Sequence, residues 1–339
     1  DPGGFFVSTD TVSKVSPEFA AAYAKGNLRS GELLIKVKGP NQAAAYVDEV
    51  HKGDVVLVSG TIWGALVRTE EVDPWFLTAV LEAPYGRIAR TRRRTNLNVE
   101  FVSPSDLTNI RIPMPAPDAQ AYIGNKVRQA ETLRARARAN RESINLAFNQ
   151  LFSAIEHFHY AKHRRVGLDS LSTRLNAQYY KLEYLALEES LHRHFDKVVT
   201  LSQVAPVVRT KATPSASCVY REIGDIDVSA GEFGPGTRYS KGQAPNNAQR
   251  QFSKHDLAVS TRRPDRGAVA VVSDESSSAF YSVFLARIRP QSPELAYWLK
   301  EYLRHPFGKM LLRQRCTQKT YPVISEQDIG TIPVPVSPQ

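Results

Sequence analysis

The stretch Leu77-Thr78-Ala79-Val80-Leu81-Glu82-Ala83-Pro84-Tyr85-Gly86-Arg87, followed by Ser103-Pro104-Ser105-Asp106-Leu107, returns 222 positions later. The second copies are Leu299-Lys300-Glu301-Tyr302-Leu303-Arg304-His305-Pro306-Phe307-Gly308-Lys309 and Ser325-Glu326-Gln327-Asp328-Ile329. At the same shift, Thr95, Val102, Ile110, Ile112 and Pro113 fall on Thr317, Ile324, Ile332, Val334 and Pro335 without a gap. A shift of 224 pairs Glu32-Leu33-Leu34 through Gly39-Pro40 with Asp256-Leu257-Ala258 through Arg263-Pro264, as one small insertion produces. A duplicated unit fixes architecture before any single residue is interpreted. The chain therefore reads as two homologous domains.

Each copy carries the same local signals. Ser103-x-x-Asp106 and Ser325-x-x-Asp328 have the form of a capping box, which marks a helix N-terminus. That helix must be short, because Ile110-Arg111-Ile112-Pro113-Met114-Pro115 and Ile332-Pro333-Val334-Pro335 impose an extended exit. Upstream, Leu77/Leu81 and Leu299/Leu303 are i, i+4 pairs behind Asp73-Pro74 and Ser292-Pro293, predicting a helix that ends at Tyr85-Gly86 or Phe307-Gly308. The β-branched and aromatic runs at 33–37, 55–58, 269–272 and 281–285 predict strands. The fold class is α+β, with two mixed domains of sheet followed by helices.

Between the copies, from Pro117 to about Arg165, there is no further proline and a single glycine, Gly124. This predicts one long helix, and Ile123, Val127, Ile144, Phe148, Leu151 and Ile155 recur along it at coiled-coil-like spacings. Some 40–45 residues extend about 60–65 Å, too far for the stripe to be buried in a small domain, so a second long helix is expected against it. The repeat would start that partner just beyond Gln339, and the first copy lacks a piece of about 50 residues that precedes the second. The organisation is a first domain at 1–116, a spacer helix at 117–165 and a second domain at 166–339.

Lys and Arg number 44 against 34 acids in 339 residues, a formal charge of +10, and the sequence pI is near 9.5. Such a balance points to a polyanionic partner. No run approaches the ~18 apolar residues of a membrane span, and Asp1-Pro2-Gly3-Gly4 has neither region of a signal peptide, so a cytoplasmic protein is expected. Cys218 and Cys316 are too few for a disulfide framework and are expected as buried thiols. His157, His159 and His163 include an i, i+4 pair, but no Cys or well-placed acid completes a zinc set, nor does one beside His192 and His194. No metal is expected. The sequence holds no phosphate-binding glycine loop, zinc-protease motif, nucleophile elbow or dinucleotide fingerprint. Asp73-Pro74-Trp75-Phe76 is a faint echo of an amino-methyltransferase loop and is better read as core.

Basic and amide residues cluster at three places. Arg92, Arg93 and Arg94 lie in the run from Arg90, with Gln318 and Lys319 in the corresponding region of the second copy. Lys36, Lys38, Asn41 and Gln42 align with the segment holding Arg262, Arg263 and Arg266, at the end of a strand. Arg238, Lys241, Asn246, Asn247 and Arg250 occupy a glycine-rich, loop-like stretch. Guanidiniums contact phosphates or the guanine edge, and amides pair with adenine, so these are the candidate DNA contacts; solvated charge runs are the ordinary alternative.

Two such domains alternating with a long helix resemble the specificity subunit of Type I restriction–modification enzymes. Tyr220-Arg221-Glu222-Ile223-Gly224-Asp225-Ile226-Asp227 is similar to the opening strand of that family's target-recognition domains, Asp256-Leu257-Ala258-Val259-Ser260 to their "gDil.s" segment, and Asp118-Ala119-Gln120 with Ile123, Lys126 and Val127 to the start of its spacer helix. Ala119 and Glu32 depart from the usual Glu and Asp. The resemblance implies a non-catalytic subunit in which each domain reads half of a split site in double-stranded DNA. It further implies a coiled-coil spacer, methyltransferase (M) subunits that use S-adenosylmethionine, and a restriction (R) subunit with ATP and Mg. No cofactor is expected in this chain. The alternatives are the recognition module of a fused single-chain restriction–modification enzyme and a basic scaffold for acidic proteins.

Overall fold

The segments with the least conformational choice open the elements of both copies. Pro74 and Pro293 occupy first helical turns behind N-caps Asp73 and Ser292, whose side chains accept backbone N–H bonds from Trp75 and Phe76 and from Leu295. A fixed φ and an unneeded N–H suit proline to that position. In the computed structural model, the residues described are 13, 15–39, 43–48, 56–95, 100–155, 167, 171, 174–273, 279–318 and 320–336. The chain divides into two units, 1–144 and 145–339, and the division falls inside the long helix.

In the first unit, strand Glu32–Lys36 lies between Ala44–Tyr46 and Ile62–Leu66, both antiparallel to it. In the second, Leu257–Ser260 holds the same place between Val269–Val271 and Leu285–Ile288, with Val207–Val208 added outside. Helix pairs follow, Pro74–Glu82 with Pro84–Thr91 and Pro293–Arg304 with Pro306–Gln314, and then short helices Pro104–Thr108 and Glu326–Gly330. The buried core uses matching positions. Leu33, Ile35, Leu81, Val102, Leu107 and Ile110 serve the first unit; Leu257, Val259, Leu303, Ile324, Ile329 and Ile332 serve the second.

The second unit carries a further sheet in the order Ala248–Arg250, Ala279–Ser282, Cys218–Arg221, Thr237–Tyr239, its middle pair parallel. The expected strand at 281–285 is in fact split. Val283 and Phe284 turn the chain out of this sheet into Leu285–Ile288 of the other, whose inner strands are buried on both faces. The run at 55–58 forms a single bridge, Leu57 to Asn27, with Val55 outside the described residues. The proline-rich exit pairs as Pro333–Pro335 against Val198–Thr200.

The expected helix end at Tyr85-Gly86 and Phe307-Gly308 is corrected: the first helix of each pair stops at Glu82 or Arg304, and glycine is the third residue of the next helix. A Cβ there would enter the backbone of the preceding helix, at Val80 and Leu81 for Gly86 and at Tyr302 and Leu303 for Gly308. Glycine is demanded by close approach, not by a left-handed turn.

The long helix spans Pro117–Leu151, 35 residues, rather than reaching Arg165. Phe152-Ser153-Ala154 is turn, because Ser153 N–H and Ile155 N–H bond three residues back and the Ser153 hydroxyl also donates to Gln150 O at 2.7 Å. This tightened end turns Phe152 and Ile155 into the second unit's core. The stripe expected to meet a partner helix is therefore divided. Val127 packs on Tyr46 and Trp75 of its own unit, and Phe148 and Ile155 pack within the second; Ile123, Ile144 and Leu151 stay exposed.

Phe148 and Phe152 lie beside His305, centroids 6.2 and 5.1 Å away. His305 caps the helix behind it, Nδ1 accepting from Phe307 N–H at 3.4 Å, which requires a neutral imidazole at that nitrogen. Burial, and then the charge of Lys309, hold its pKa below the ordinary value.

Two outcomes follow. Gly308→Ala overpacks rigid backbone and is expected to cost about 1–3 kcal/mol in urea unfolding at unchanged m; a loss below about 0.5 kcal/mol would contradict the close-approach account. With the folded-state pKa of His305 depressed, the unfolded chain takes up the proton first as pH drops below about 6.5, so stability falls. His305→Asn keeps a capping acceptor and should flatten the loss between pH 7.5 and 5.5, measured as the urea midpoint.

Candidate nucleic-acid interface

The end of the central strand is built alike in both units. Lys38 bridges Phe101, which also bridges Thr95; Arg262 bridges Val323, which pairs with Thr317 in the hairpin Thr317–Gln318/Pro322–Val323. Each basic residue rests on an aromatic ring, Lys38 Nζ 5.8 Å from the Phe101 centroid and Arg262 4.7 Å from Phe284 and 6.0 Å from Tyr321. Arg263, also over Tyr321 at 5.5 Å, has a left-handed backbone (φ 48) and donates its N–H to Pro322 O at 2.8 Å. Thr261 N–H and Oγ1 both bond Phe284 O, and Val283 N–H bonds Asn247 O. These bonds place the Arg262–Arg263 segment, the 283–284 turn, the Asn246-Asn247 loop and Tyr321 on one surface. Arg238 and Lys241 are exposed before that loop, and Arg266 is exposed beyond Arg263.

The linear arginine run of the first copy does not form a common patch, because the helix ends at Thr91 and the turn that follows sends Arg92, Arg93 and Arg94 to different surroundings. Arg90 is buried, its guanidinium on Leu81 O at 2.7 Å and Glu82 at 2.9 Å. Arg94 pairs with Glu100 at 2.5 Å. Arg93 donates to Ala89 O at 3.0 Å and Asn109 O at 3.2 Å, tying the end of one helix to the end of another. Its repeat mate Arg315 does the same, donating to Leu311 O and Thr331 O, both at 3.3 Å, and pairs with Glu188 at 2.6 Å. Of the three candidates, Arg93 and Arg94 are half-buried and bonded within the fold, whereas Arg92 is exposed.

Arg250 is buried against Glu326 at 2.5 Å. Lys36 is half-exposed on its strand. Asn41, Gln42 and Lys319 lie outside the described residues, as do His157, His159, His163 and the Gln318 side chain. Phe284 and Tyr321, the rings under Arg262, were absent from the sequence-based candidates. An aromatic two residues after Lys319, in a segment that must turn, was the available signal.

The remaining chemistry is structural. Asp73 caps its helix and pairs with Arg128 at 3.0 Å, and Trp75 and Phe76 are buried. Burial lifts the Cys316 thiol to about 12, and Cys218 and Cys316 are both buried and unpaired with each other. Among the described residues no cluster of metal-ligating side chains forms, and no helix is long and apolar enough to cross a membrane.

Arg93→Ala removes two helix-end bonds and is expected to cost about 1.5–3 kcal/mol of stability, whereas exposed Arg238→Ala should cost under about 0.5 kcal/mol. Equal losses in urea unfolding would contradict the assignment of one to framework and the other to surface.

No family model matches the sequence. No curated protein matches it either. Among solved structures, the Type I restriction–modification S subunit from M. genitalium superposes over 99% of this chain and 78% of its own, with TM-score 0.52 and 15% identity. The HsdS subunit from Thermoanaerobacter tengcongensis matches over 92% of this chain and 70% of its own at TM-score 0.32 and 17% identity. A structure from work on type I R-M complex assembly matches over 92% and 71% at TM-score 0.31 and 16% identity. The fold likeness rests on the first, and on that comparison the resemblance read in the repeated segments extends to the fold of a Type I specificity subunit.

Proposed function

We propose that this chain is the DNA-specificity subunit of a Type I-like restriction–modification complex, each unit reading one half of a bipartite site. The observation that carries the proposal is the twofold occurrence of one arrangement. In each unit a central strand ends in a basic residue, Lys38 or Arg262, seated on aromatic carbon and bridged to the segment that follows the helix pair. Two readers of one design suit two half-sites of one duplex, and a net charge of +10 supplies the attraction to phosphate. The fold likeness to an S subunit over nearly the whole chain supports the same reading.

In this assignment the chain performs no bond chemistry. Methyl transfer belongs to M subunits with S-adenosylmethionine, and any cleavage to an R subunit with ATP and Mg. The complex works on cytoplasmic DNA. The exposed positions Ile123, Ile144 and Leu151 belong to the helix face offered to a second spacer helix.

Expression with its methyltransferase subunits is expected to install methylation at a split motif of fixed gap, read by methylome sequencing. Exchanging residues 166–338 for another recognition domain should alter one half of the motif alone. Duplex affinity should fall with salt at a slope of about −0.9 per phosphate contact. Absence of new methylation together with salt-insensitive binding would sink the reading in favour of a protein scaffold.

A further inference from the structure

The basic side chains around the second unit's strand end fall into two chemical groups. Arg250 is neutralised by Glu326 at 2.5 Å, Arg313 faces Asp265 at 3.3 Å, Arg315 holds Glu188 at 2.6 Å and Arg287 holds Asp256 at 2.5 Å. Arg262 is different. It is half-buried, its guanidinium lies over Phe284 and Tyr321, and no carboxylate pairs with it among the described residues.

Its backbone is also fixed on both sides. Ser260 Oγ donates to Arg262 O at 2.7 Å, Ile324 N–H donates to Thr261 O at 3.1 Å, and Arg262 itself bridges Val323. The following residue, Arg263, is in the left-handed region, where a side chain other than Gly, Asn or Asp is held only by its surroundings. Strain of this kind at the strand end, beside an arginine that pairs with no carboxylate among the described residues, marks a place built to present that arginine.

A phosphate contact asks only for a positive charge on a flexible stem. Reading a base asks for a planar fork held in one orientation, and stacking on aromatic faces provides that while leaving the guanidinium edge free to donate. Guanine O6 and N7 in the major groove are the acceptor pair that matches this fork.

On the reading that the chain is a DNA-specificity subunit, we propose that Arg262 is a specificity-determining residue that reads a guanine in the half-site of the second unit, with Phe284 and Tyr321 as the platform that orients it.

The test is selection of random-sequence duplexes by the full complex with its methyltransferase subunits, for wild type, Arg262→Ala and Arg262→Lys. Arg262→Lys retains the charge and stem, so it answers even where Arg262→Ala fails to fold. The expected result is loss of guanine preference at one position in one half of the motif, by about 5- to 150-fold, with the other half intact and the salt slope of binding kept by Arg262→Lys. Tyr321→Leu should relax the same position. An unchanged motif in Arg262→Lys overturns the proposal, and so does uniform weakening of all sequences with a salt slope reduced by about 1 in Arg262→Ala, which identifies a phosphate contact. A wild-type complex that enriches no motif defeats the DNA-reading assignment itself, and the proposal falls with it.

Discussion

One guanidinium in each unit, Arg93 in the first and Arg315 in the second, ties the end of the second helix of the pair to the end of the short capped helix. Helix C-termini leave carbonyls without partners, and a cation donating to two such ends satisfies both while meeting their partial negative charge. The geometry of everything around it follows from this tie. The segment from the end of the helix pair to the start of the short helix, 92–103 or 315–325, reaches the end of the central strand within a short span. There it forms the bridge to Lys38 or Arg262 that fixes the basic strand end. The close glycine elbow, Gly86 or Gly308, sets the angle from the other side, because it lets one helix backbone pass against another.

Arginine therefore serves two purposes in this protein, and net charge alone does not separate them. Several guanidiniums are part of the framework, paired to buried or half-buried carboxylates. Asp256 takes two, Arg287 at 2.5 Å and Arg289 at 3.2 Å, and Glu326 takes Arg250 at 2.5 Å and Arg209 at 3.5 Å. Removing one member of such a pair leaves a buried charge uncompensated, so these residues matter to folding whatever the chain binds. At the second unit's strand end, Arg263, Arg266 and the nearby Arg238 are exposed and Arg262 is half-buried, and none of the four takes part in such a carboxylate pair among the described residues.

Much of this was legible in the residues, for a physical reason. Proline, glycine and the Ser-x-x-Asp caps act locally, so the duplicated helix starts and the short capped helices at Ser103 and Ser325 could be read before any contact was known. Each serine hydroxyl accepts from the aspartate N–H and donates to its carboxylate, a variant of the box in which the acid meets the hydroxyl in place of the backbone. Non-local facts were not legible. Arg93 and Arg94 stand beside Arg92 in sequence, yet their partners Asn109 and Glu100 are set by how the chain returns to the sheet. The glycine of the elbow was taken for a helix end because a C-terminal turn and a close helix crossing leave the same mark in sequence.

The long helix makes the same distinction between local and borrowed stability. Near its start, Gln120 Oε1 accepts from the Asp73 N–H, Arg128 donates to the Asp73 carboxylate, and Gly124 lies against that carboxylate. Near its end Phe148 joins an aromatic cluster. From Thr132 to Ala147 every residue except Arg138 is exposed. Alanine and arginine favour helix in that segment, but propensity alone leaves a stretch of this length marginal in water. Leu133, Ile144 and Leu151 are 58, 42 and 43% exposed, and with Ala137 they follow at intervals of four, seven and seven. A spacing of seven suits a narrow seam for one more helix better than the broad apolar face of a helix lying on a domain. The described residues leave that seam uncovered, so in the proposed complex the stiffness of the spacer depends on what is laid against it.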